Sequence, residues 1–149
     1  MNRATVTWNR ATVTCCLALA AAAALAAPAA AQHLDGVWYA RLLQPNGLAQ
    51  FELTLNRGQY ALTSSLTTAE GYNYQTYQAG AAEFYPPDRL RLVVFDWQPR
   101  EYLGRTMAMP PNSNLTILRV DWHSLTLMDN VCAMSAPAAS CTTTYQRVQ

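Results

Sequence analysis

Glycine returns at positions 36, 47, 58, 71 and 80, a spacing of 11, 11, 13 and 9, and the segments between these glycines alternate in polarity. That rhythm admits short strands joined by turns and little else. Phe51, Leu53 and Leu55 point to one side of a strand while Gln50, Glu52 and Thr54 point to the other, which predicts one buried and one wet face. Turn chemistry brackets this strand, with Gln44-Pro45-Asn46-Gly47 before it and Asn56-Arg57-Gly58-Gln59 after it. Further strands are predicted at 36–43, 59–66, 72–78, 81–85, 89–97, 115–120, 125–130 and 142–148, and no segment beyond residue 31 sustains a helical period. The expected fold class is therefore all-β, a small antiparallel up-and-down barrel of about eight strands or a flattened two-sheet clam. One connection, 98–114, is longer than a compact domain tolerates without a reason, and it is the natural lid.

The first 31 residues read differently. Arg3 and Arg10 precede an apolar run at 11–25, and Ala29 and Ala31 fit the small-residue positions of a cleavage site, the order of a secretory signal. Alanine is only weakly apolar and Pro28 breaks the run, which favours a cleaved signal over a retained anchor. Cys15 and Cys16 sit at the wrong end of the run for a lipidated N-terminus. The tandem copy of Asn-Arg-Ala-Thr-Val-Thr at 2–7 and 9–14 is a duplicated segment inside the signal, not a repeat fold. The expected organisation is thus a signal at 1–31 and one barrel domain at 32–149, in a periplasmic or secreted bacterial protein with no membrane span in its mature chain. Two cysteines remain there, Cys132 and Cys141, and an oxidising compartment predicts that they pair. Lysine is absent, and without the signal eight arginines face nine carboxylates, a net charge of −1 that offers no basic field for nucleic acid.

Leu34-Asp35-Gly36-Val37-Trp38 at the first strand resembles the G-x-W start of lipocalin-like barrels, and Tyr145-Gln146-Arg147 is similar to their closing strand, whose arginine packs over that tryptophan. The resemblance implies a ligand-holding barrel in which Trp38 plugs one end with Arg147 stacked on it. The chain is shorter than ordinary lipocalins and has no helix after the last strand.

For the site, Tyr72 and Tyr74 are expected to share a strand face and Tyr77 to take the other unless a bulge intervenes. The lid supplies Arg100, Tyr102, Leu103, Arg105, Met107 and Met109, so the predicted ligand contacts are these six with Tyr72 and Tyr74. An apolar body would sit against the rings while the arginines orient an acidic head. The set Met107, Met109, Trp122 and His123 resembles that of small periplasmic copper-binding barrels, thioether sulfur suiting Cu(I), and His33 near the expected N-terminus offers a Cu(II) chelate. Copper is a minor alternative, and no metal or cofactor site is assigned. No catalytic residue is assigned either: there is no G-x-S-x-G, H-E-x-x-H or C-x-x-C, and Glu83, Asp88, Asp96 and Glu101 alternate with Arg89, Arg91, Arg100 and Arg105 as surface ion pairs do. Asn114-Leu115-Thr116 fits a glycosylation acceptor, which a bacterial signal makes irrelevant. The leading expectation is a non-catalytic barrel holding a small apolar or aromatic molecule. The alternative is a protein-binding module, such as a periplasmic hydrolase inhibitor acting on an envelope or secreted partner.

Overall fold

The structure, a computed structural model, describes residues 34–148; the expected signal, its cleavage after Ala31 and the leader residue His33 lie outside the described residues. In chain order the strands are β1 (Gly36–Gln44), β2 (Gly47–Asn56), β3 (Gln59–Thr68), β4 (Asn73–Tyr85), β5 (Arg89–Gln98), β6 (Glu101–Tyr102), β7 (Arg105–Thr106), β8 (Ser113–Val120), β9 (Ser124–Asp129) and β10 (Thr142–Arg147). Eight of them close into an antiparallel barrel in the order β1-β10-β9-β8-β5-β4-β3-β2, and β6 and β7 form a separate hairpin. The barrel, not the flattened clam, is the closure this chain adopts. Among the described residues the helical content is Leu34 and two 3₁₀ segments, Cys132–Met134 and Ala138–Cys141, and no helix is long and apolar enough to cross a membrane.

One boundary expectation is corrected. The strands predicted at 72–78 and 81–85 are a single strand, β4, because Gly80 lies inside a ladder and not in a turn. Ala79 pairs with Asp96 and Gly80 with Val94, so Phe95 is an extra residue on β5. A Cβ at Gly80 would run into the carbonyl oxygen of Val93, which is why glycine occupies the strand at this bulge.

Strand alternation sends one set of side chains inward. Trp38, Leu53, Leu55, Tyr60, Leu90, Leu92, Leu125, Leu127 and Tyr145 are buried and form the core, with Phe51, Leu62, Phe84, Leu115 and Ile117 packed against them. Trp38 is completely buried and donates its indole N–H to the Leu34 carbonyl at 2.8 Å. Arg147 lies across it, its guanidinium carbon 4.2 Å from the ring centroid and Nη1 donating to the Asp35 carbonyl at 2.8 Å. Gly36 has φ +149°, and a Cβ there would meet the Arg147 guanidinium. The Gly36-x-Trp38 pattern and Arg147 are thus one packing unit.

Up-and-down connectivity puts alternate connections at the same end. The β2–β3, β4–β5 and β8–β9 turns lie with the Trp38 plug at a closed end. The β1–β2 and β3–β4 turns, the 99–112 connection and the disulfide-bearing 130–141 connection surround the other end, the mouth. Cys132 and Cys141 are bridged, with their Cα atoms 5.6 Å apart.

Candidate functional site

The mouth is built from inward positions that the core residues leave behind. Along β3 the alternation Tyr60, Leu62, Ser64, Leu66 puts a serine where the lower barrel has large apolar groups, and register sets it opposite Thr76 of β4. The Ser64 and Thr76 hydroxyls hydrogen-bond to each other. Around this pair lies a cavity of about 190 Å³, lined by Gln44, Ala49, Phe51, Ser64, Ser65, Leu66, Tyr74 and Thr76. Its lining mixes apolar and aromatic groups with the hydroxyls of Ser64, Ser65, Tyr74 and Thr76 and the Gln44 amide, and holds no charged side chain.

The 99–112 connection borders this cavity. Past the bulge Trp97 pairs with Gln78 and so turns to the inner face, where its indole N–H is buried without a partner among the described residues. Arg100 covers Trp97, its guanidinium carbon 4.1 Å from the ring centroid, and binds Asp96 at 2.7 Å. The β6–β7 hairpin then folds back so that Tyr102 meets Tyr74 edge to face, with ring centroids 5.1 Å apart. Met107 closes the hairpin by donating its backbone N–H to the Arg100 carbonyl at 2.9 Å, and the Asn112 side chain accepts from the Val94 N–H at 3.0 Å. At the hairpin tip Leu103 is held at φ +50°, a region that bulky side chains rarely adopt.

Of the eight predicted contacts, then, Tyr74 lines the cavity and Tyr102 touches it through Tyr74. Arg100 is spent on Trp97 and Asp96 and does not face the cavity as a free cation. Leu103, Arg105 and Met109 are exposed on the rim, and Met107 is half-buried. Tyr72 is a correction: it lies in the turn before β4, its N–H 3.2 Å from the Thr68 hydroxyl, and does not share a strand face with Tyr74. Tyr77 takes the outer face. Sequence reasoning missed Ser64, Thr76 and Trp97. The serine was signalled by a small polar residue in the inward register of β3, whereas Trp97 depends on the bulge.

Elsewhere the topology separates the remaining candidates. Trp122 and His123 form the β8–β9 turn at the closed end, away from Met107 and Met109 in the mouth connection. No three His, Cys, Asp or Glu residues gather among the described residues. Asp88 with Arg89, Glu83 with Arg91 and Asp96 with Arg100 form exposed ion pairs. A wider, open groove of about 690 Å³ runs over the outer face of β2–β5, floored by Ala61, Ala79 and Ala81 and edged by Phe95, Tyr77, Arg57 and Asp96.

Fold and site together define a small antiparallel β-barrel with a buried tryptophan toward one end, beside a space of about 230 Å³ lined by Leu34, Leu55, Ala82, Phe84 and Leu90, and a cavity of about 190 Å³ under a hairpin at the other. No protein-family model, curated protein or solved structure matches the chain.

Proposed function

We propose that this chain is a non-catalytic, lipocalin-like binding protein that holds a small, uncharged, apolar or aromatic molecule in its mouth. The observation that carries the reading is the cavity at the mouth: Ala49 and Ser64 take inward positions that hold large apolar groups elsewhere on β2 and β3, and Tyr74 and Tyr102 stand at its edge. At about 190 Å³ the space lies below the range of drug-sized sites and suits a molecule about the size of indole. The acidic head expected from the sequence is not part of this reading, because neither Arg100 nor Arg105 lines the cavity and Arg100 is engaged by Asp96 and Trp97. A secretory signal at 1–31 and the Cys132–Cys141 bridge support an extracytoplasmic location.

Titrating the protein with indole while following amide chemical shifts tests this. Shifts confined to the Ala49, Ser64 and Tyr74 region, lost in Ala49→Leu and in Ser64→Val, are expected. Indole shifts unchanged by either substitution would place binding elsewhere. A second reading, a protein-binding module, is favoured by the outer groove, where Phe95 stands exposed beside a floor of small residues. Native mass spectrometry of protein from its producing cells separates the two: a retained small molecule supports the first, a retained polypeptide the second.

A further inference from the structure

We infer that the mouth end docks on a lipid bilayer through four separate apolar tips. Four connections surround the mouth, and the most exposed hydrophobic side chains of the four stand at or beside their apices. They are Leu43 before the β1–β2 turn at 89% exposure, Tyr72 in the β3–β4 turn at 74%, Leu103 at the β6–β7 tip at 84%, and Met134 in the disulfide-closed connection at 87%. These are the four most exposed large hydrophobic residues among those described; the next, Phe95 and Trp122 at 68%, lie on the flank and at the closed end. Four independent turns converging on one end is a pattern of the whole barrel, not of one loop.

The occupant follows from how the tips are arranged and charged. A protein interface needs a contiguous core that both partners bury, whereas these four tips sit on four separate loops, with Val131 and Met109 as further exposed apolar side chains on two of them. A bilayer interface accepts each tip independently, taking the side chain into the acyl region and leaving the loop backbone among the headgroups. Positions 45–46, 69–72, 99–112 and 130–141 hold only Glu70, Arg100, Glu101 and Arg105 as charged residues, which sum to zero, and 130–141 holds none. Arg100 is further neutralised by Asp96. Attraction is therefore apolar and requires no anionic headgroups. Tyr72 and Tyr102 add the amphipathic rings that favour the headgroup level. The disulfide across 132–141 and the left-handed Leu103 hold two of the tips in fixed poses, which lowers the ordering cost of insertion. Docking in this manner does not depend on the cavity holding a ligand.

An environment-sensitive dye at Leu103→Cys and, separately, at His123→Cys of the full chain, mixed with neutral phosphatidylcholine vesicles, reads the orientation. A blue shift at position 103 and none at 123 is expected, unchanged by high salt or by adding anionic lipid. In vesicle flotation each single tip substitution (Leu43→Ser, Tyr72→Ser, Leu103→Ser, Met134→Ser) is expected to weaken partitioning about tenfold. Phe95→Ser and Tyr85→Ser, outside the crown, should leave it unchanged. The apolar stretch at 11–25 is common to all these chains, so differences among them report the tips. An unshifted dye at position 103, binding only to anionic vesicles, or a quadruple tip variant that floats like its parent would overturn the inference; a stable protein complex through these tips without vesicle binding would assign them to a protein partner instead.

Discussion

At the residue scale, Trp38, Gly36 and Arg147 act as one device. The guanidinium covers the ring and caps the Asp35 carbonyl, and it fits because residue 36 has no Cβ. Arg147→Ala is expected to cost about 0.5 to 2 kcal/mol in urea unfolding, and Gly36→Ala about 1 kcal/mol or more from its positive φ and the displaced arginine. Because both remove the same stacking, their double variant should cost clearly less than their sum. Tyr145 gives a pH signature. Burial pushes its phenol up to about 12 from the ordinary 10.0, so the folded state binds that proton more tightly than the unfolded chain. Its contribution to stability is complete below pH 10, declines as pH rises and is lost through pH 12. Ultraviolet titration of the native protein should show a tyrosine ionising after the others, absent in Tyr145→Phe; a native titration that ends with the exposed tyrosines would contradict the burial. Asp121 works in the opposite direction. Accepting hydrogen bonds from the His123 and Ser124 N–H groups and the Ser124 hydroxyl, it titrates well below the usual carboxylate range, so its support for the β8–β9 turn is present above that range and fades on acidification.

At the element scale, the two long connections are tied down by different means. The 99–112 segment uses the Tyr74–Tyr102 contact and the Asn112 side chain. The 130–141 segment has little to bury and relies on the Cys132–Cys141 bridge, helped by Asp129 accepting from the Val131 and Cys132 N–H groups. Closing a loop of about ten residues restricts the unfolded chain, and reduction or the Cys132→Ser, Cys141→Ser double substitution should lower stability by about 2 to 3 kcal/mol. Thermal unfolding with and without reductant measures it, and equal midpoints would mean that the bridge contributes nothing. The β4–β5 bulge is the third element that matters, since it turns Phe95 outward and Trp97 inward within three residues.

For the whole molecule, barrel closure is uneven. β2 and β3 are registered over ten residue pairs, from Gly47↔Thr68 to Asn56↔Gln59, whereas β1 and β10 are registered at Trp38↔Arg147 and Tyr39↔Gln146, extended by the Val148 N–H donating to the Val37 carbonyl, and β5 meets β8 over four pairs. The β8–β10 sheet is therefore held to β1–β5 by two short seams, one of them beneath the tryptophan plug. Amide exchange should be slowest along β2–β3 and faster at both seams. Uniform protection around the barrel would show that the seams are not weak points, and circular dichroism of the chain from residue 32 onward should show strand with at most a few helical residues.

What the sequence determined by itself is the local pattern. Period-two alternation at 50–55 and 59–66, turn residues at 44–47 and 56–59, and two cysteines left beyond the expected signal specify strands, hairpins and a bridge, because each depends on neighbours in the chain. The Trp38–Arg147 contact was legible too, though only through resemblance, since 109 positions separate the partners. The tertiary structure alone decided the rest. Whether Gly80 ends a strand or bulges within one depends on the opposing carbonyl of Val93, and that choice sets which face Trp97 and Phe95 occupy. Whether the barrel is filled or hollow depends on how inward side chains from eight strands sum in volume, so the cavity beside Ser64 and Thr76 appears only once β3 and β4 are in register. Leu43, Tyr72, Leu103 and Met134 stand far apart in sequence, and closure of the barrel is what gathers them at one end.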